Sequence, residues 1–83
     1  MLKVLFFGKL RDTAGQAEML YTLPAGVADT EGLRRWLGQG NPALADALAR
    51  HTVRVAVAGV LVHGATPLSG DEEVAFMPPV SGG

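Results

Sequence analysis

DTEGLRRWLGQGNPALADALARH, residues 29–51, is the stretch where apolar positions stop alternating and recur at helical spacing. Leu33, Trp36 and Leu37 stand at i, i+3 and i+4 behind Asp29 or Thr30 as N-cap, and Gly38 and Gly40 end that helix. Asn41 followed by Pro42 has the form of an N-cap and a first helical residue. The shorter helix that follows turns Leu44 and Leu48 inward and brings Arg50 and His51 near its C-terminal end. Residues 38–43 match the dinucleotide fingerprint GxGxxA by letters, but that fingerprint follows a strand. Here a helix precedes it, and the glycines mark a break and a restart.

On either side of this helical centre the period is two. Residues 2–7 form an apolar first strand, with Leu2, Val4 and Phe6 on one face and Lys3, Leu5 and Phe7 on the other. The second face either packs beneath another element or is an exposed docking patch. Asp12, Thr13, Ala14 and Gly15 make residues 8–16 a hairpin connection. Residues 17–23 then give a second, antiparallel strand ended by Pro24 and Gly26. Beyond the helices, residues 53–57 and 60–62 read as strands around Gly59, and residues 74–77 as the last strand. The first and last strands are separated by a helical crossover and are predicted to pair in parallel. This order specifies an α+β fold: a mixed sheet with one main helix and a short second helix packed on one face. Residues 1–77 form one domain and residues 78–83 an extended, flexible tail.

Composition narrows the chemistry. With 48% hydrophobic and 18% charged residues the chain folds. Its 7 basic and 8 acidic side chains leave no basic footprint for nucleic acid or an anionic membrane. The apolar run at residues 2–7 is too short for a signal peptide, and residues 53–62 carry Arg54 and span about half a membrane, so a cytoplasmic protein is expected. Zero cysteines exclude disulfides, thiolate nucleophiles and a side-chain persulfide. His51 and His63 have no cysteine beside them, so no metal site is expected, and Asp71, Glu72 and Glu73 read as a solvated turn. There is neither a Walker A lysine motif nor a serine nucleophile elbow.

What remains is the end, PPVSGG, residues 78–83. Pro78 and Pro79 fix φ and make the tail leave the body stiff, while Gly82 and Gly83 let a carboxylate enter a slot too narrow for side chains. Six extended residues reach about 20 Å at most. A carboxylate is a poor electrophile, so another enzyme must activate it, for instance as an acyl adenylate, before a sulfur or nitrogen nucleophile displaces AMP. The protein is then a substrate and carrier.

KVLFFG at residues 3–8, Arg11 with Gly15, Leu33 with Arg34, EVAF at residues 73–76 and the ending PPVSGG together resemble the family of molybdopterin synthase small subunits, over essentially the whole chain. The resemblance implies a ubiquitin-like β-grasp fold in a heterotetrameric, cytoplasmic synthase. It implies that Gly83 is adenylated by a ubiquitin-activating-like adenylyltransferase and converted, with a sulfur donor enzyme, to a thiocarboxylate. That group then gives sulfur to cyclic pyranopterin monophosphate in the pocket of the large subunit. Gly82 passes the channel, and Pro78, Pro79, Val80 and Ser81 thread it. No cofactor is bound directly; ATP is used by the activating enzyme. Phe7, Ala75 and Met77, with Leu61 and Arg11, are the expected partner-binding residues. Two positions depart from the family: Ala58 stands where Asn is common, and Gly70 with Asp71 one place early.

Three other readings share the fold and the tail. One is a sulfur carrier for thiazole synthesis or transfer RNA thiolation; the Pro pair and the Phe pair favour the molybdopterin branch. Another is a ubiquitin-like modifier that forms isopeptide bonds, and the last is an interaction module with an inert tail.

Overall fold

The computed structural model describes residues 1–79. Their order is β1 (Leu2–Phe6), α1 (Lys9–Ala14), β2 (Glu18–Tyr21), α2 (Thr30–Leu37), α3 (Pro42–Leu48), β3 (Arg54–Val57), β4 (Val60–Val62) and β5 (Glu73–Met77). Both central helices start as their caps dictate. The Gly32 N–H donates to Asp29 Oδ1 at 2.8 Å and the Leu44 N–H to Asn41 Oδ1 at 3.1 Å, satisfying donors that a helix start leaves unpaired.

The strands form one five-stranded sheet in the order β2-β1-β5-β3-β4. β1 runs antiparallel to β2 and parallel to β5, as expected of strands joined through a helical crossover; β3 is antiparallel to β5 and to β4. One sheet face presents Leu2, Val4, Phe6, Val55, Val74 and Phe76, which merge with Leu10, Leu33, Leu37, Leu44 and Leu48 from the helices into a single buried cluster. Phe6 and Phe76 are register partners in the central parallel pair, their rings stacked with centroids 6.0 Å apart. Full burial of a side chain of this kind stabilises by about 1.5–3 kcal/mol, so the pair ties the two ends of the domain together. At the edge of the core Trp36 meets Tyr21 edge-on at 4.8 Å. These neighbours are the ubiquitin-like β-grasp arrangement.

One expectation needs correction. Residues 8–16 are not a plain hairpin connection, because they contain α1. Leu10 is buried and gives the segment something to pack against. The Asp12 to Gly15 cluster is a helix end: Gly15, at φ 84°, donates its N–H to the Arg11 carbonyl at 2.9 Å. A single apolar anchor in six helical residues is too little for a period to show. Of the two readings left open for the outer face of β1, the structure selects the uncovered one, since all three helices supply their apolar residues to the opposite side. The acidic turn is solvated as expected, with Asp71 and Glu73 exposed, and it is also ordered. Glu72 folds back to accept hydrogen bonds from Ser69 N–H at 2.7 Å, Ser69 Oγ at 3.0 Å, Gly70 N–H at 2.9 Å and Asp71 N–H at 3.1 Å. These donors, the Ser69 N–H foremost, hold its carboxyl at about 2, well below the usual carboxylate range. No helix among the described residues is long and apolar enough to cross a membrane.

Candidate functional site

The uncovered sheet face is built by register. Leu5 pairs with Ala75, Ala75 with Ala56, and Ala56 with Leu61, so one apolar row crosses the sheet from β1 to β4. Phe7 continues the β1 ladder past its end, its N–H donating to the Phe76 carbonyl at 3.1 Å. Its ring is 47% exposed, where an apolar residue of this size is ordinarily covered. Leu61 at the far side is 53% exposed. Met77 is half-buried between them, opposite Arg54. Ala75 lies at the middle of the face yet is only 8% exposed, so it offers shape more than area.

Charge surrounds this apolar centre. At one end Lys3 Nζ lies 3.7 Å from Glu18 Oε1, with Glu73 opposite Lys3 in the register. At the other end stands Arg54. An apolar centre with a polar rim is the anatomy of a protein interface. Arg11 is exposed on α1, just beyond the Phe7–Gly8 corner, beside this face rather than within it. Sequence reading placed Phe7 and Met77 together but missed Leu20, 56% exposed on β2, and Ala56 and Arg54 on β3. Alternation alone puts Leu20 on a face with Glu18; only the register says which face of the sheet that is.

The tail leaves beside the same corner. Gly8, at φ 57°, approaches Pro78 so closely that a Cβ there would lie 2.8 Å from Pro78 Cγ. Pro78 and Pro79 wall a cleft of about 810 Å³ at this end of the sheet. Val80, Ser81, Gly82 and Gly83 lie outside the described residues. The arrangement therefore sets an uncovered apolar face beside the start of the tail.

Comparison with known proteins shows the family and the fold. The ThiS family pattern matches residues 4–83. The molybdopterin synthase sulfur carrier subunit of Escherichia coli (strain K12) is 36% identical over 83 residues, 100% of each chain. A Pyrococcus furiosus structure described as molybdopterin converting factor, subunit 1, superposes with TM-score 0.79 at 26% identity, over 95% of this chain and 97% of that one. SAMP1 from Haloferax volcanii shares the fold, with TM-score 0.77 at 24% identity over 99% and 98% of the two chains. A family pattern that runs through all five strands and a full-length relative give one conclusion: the chain belongs to the ThiS family, built on the ubiquitin-like β-grasp fold.

Proposed function

We propose that this protein is the sulfur carrier subunit of a molybdopterin synthase, with Gly83 as the carrying residue. The observation that carries the reading is the uncovered apolar face of Phe7, Leu61 and Met77 directly beside the root of a tail that reads PPVSGG. A partner seated on that face receives the tail in the same act. The full-length relationship to the E. coli sulfur carrier subunit supports the choice of pathway.

In this reading an adenylyltransferase joins the Gly83 carboxylate to AMP from ATP, releasing pyrophosphate. A sulfur nucleophile from a donor enzyme then attacks the acyl carbon; the C–S bond forms as the bond to the AMP oxygen breaks. The large subunit binds the sheet face and takes the tail through Gly82; in its own pocket the thiocarboxylate sulfur bonds to a carbon of cyclic pyranopterin monophosphate, and water then cleaves the acyl C–S bond, leaving the sulfur on the pterin and restoring the Gly83 carboxylate. Pro78 and Pro79 lower the entropy of insertion because their φ is already set.

The test is the intact mass after incubation with ATP, the cell's own activating enzyme and a sulfur source, beside a chain lacking Gly83. The expected outcome is replacement of one oxygen by sulfur in the full chain only. An unmodified chain, with an enzyme active on another carrier, would overturn the reading. Attachment to lysine amines of other proteins instead would identify a modifier, which uses the same adenylate with a nitrogen nucleophile.

A further inference from the structure

Arg54 is the only charged residue that the register places at the tail end of the uncovered face, opposite Met77. It is exposed, and none of the three ion pairs among the described residues includes it. It also lines the cleft walled by Pro78 and Pro79, together with Arg34, His51 and His63. Among the described residues one carboxylate lines that cleft, Glu31, which lies 3.4 Å from Arg34 Nε, and Arg34 Nη1 donates to the Leu48 carbonyl. Arg34 is thus engaged within the fold by Glu31 and the Leu48 carbonyl, although its buried Nε has no hydrogen-bond partner among the described residues. Arg54 faces outward with its positive charge uncompensated by either.

We propose that this cleft receives a carboxylate of the large subunit, paired with Arg54, and that the pair sets where the subunit sits before the tail enters it. The inference rests on the carrier reading. Four residues follow Pro79, a reach of about 13 Å, so a small error in seating leaves Gly83 short of its target. An apolar face resists sliding weakly, because the hydrophobic effect is non-directional. A guanidinium pairs with a carboxylate through two parallel hydrogen bonds and fixes both distance and orientation. Glu73, exposed in the row at the opposite end, repels the same carboxylate and disfavours the reversed orientation.

The experiment is the association rate of the full chain with the large subunit from the same organism, at about 0.1 M and about 1 M salt, where charges are screened over about 10 Å and 3 Å. Wild type, Arg54→Glu, Arg54→Lys and Arg35→Glu are compared, with thermal melting to show that each is folded. Arg35 is exposed on α2, does not line this cleft, and carries the same charge change. Arg54→Glu is expected to slow association about 10-fold or more at low salt and less than about 2-fold at high salt. Arg54→Lys should keep most of the rate and Arg35→Glu all of it. A rate for Arg54→Glu within about 2-fold of wild type at low salt, an undiminished loss at high salt, or an equal loss in Arg35→Glu overturns the inference while leaving the carrier reading intact. Failure of the wild-type chain to bind the large subunit overturns both.

Discussion

Ala58 holds φ at 51° and is followed by Gly59 at 82°, in the two-residue loop that joins Val57 to its partner Val60. Two positive φ values are what the right-handed twist of a tight hairpin asks for, and Asn followed by Gly meets that demand best. An L-residue with a Cβ loses about 1–2 kcal/mol in this conformation, and Asn recovers part of it through its short polar side chain. Ala58→Asn is therefore expected to stabilise the protein by about 0.5–1 kcal/mol, read as a higher urea midpoint with an unchanged slope. The absence of Asn at this position was visible in the sequence; that Ala58 adopts the strained φ was not. Glu72 carries a second residue-scale prediction. Its carboxyl is held at about 2 when folded against an ordinary 4.5, so the folded state binds fewer protons than the unfolded state between those values. The contribution is complete above pH 4.5 and is lost as pH falls towards 2. Acid titration of stability should show this slope in wild type and a shallower one in Glu72→Gln. An identical slope in the variant would remove Glu72 as its source.

At the scale of elements, the two central helices were legible down to their caps, because Asp29, Asn41 and Pro42 are local signals read by local hydrogen bonds. α1 was not legible, since its stability comes from Leu10 reaching a core that only the folded sheet creates. The packing of α2 against α3 was equally hidden. A Cβ at Gly38 would lie 2.6 Å from Ala45 Cβ and 2.8 Å from its Cα, so the glycine that ends α2 also lets α3 come close. Gly38→Ala is expected to cost about 1–3 kcal/mol by overpacking this crossing. Adding Ala45→Gly should restore part of the loss, a coupling that chemical denaturation of the single and double variants measures. Strictly additive losses would mean that the two helices do not constrain each other there.

For the whole molecule, the sheet order was legible because the switch from period two to period 3.6 and back allows few arrangements. The site was legible only in part: Phe7 and Met77 lie on one face by alternation, whereas Leu20, Ala56 and Arg54 joined it only once the register was known. Phe7→Asp and Met77→Asp are each expected to weaken binding of the large subunit by about 2 kcal/mol or more, roughly 30-fold, with little change in melting temperature. Calorimetry of the complex reads the loss; unchanged affinity in both variants would move the docking surface elsewhere. The parallel pairing of β1 with β5 has one further consequence, in the order of events during synthesis. The middle of the uncovered face, Ala75 and Met77, comes from β5, and its neighbours Leu5 and Phe7 from β1 and the residue after it, which are synthesised well before β5. Until that strand emerges, Leu5 lacks Ala75 beside it and the row from β1 to β4 is split in two. A chain that lacks β5 therefore displays no complete face.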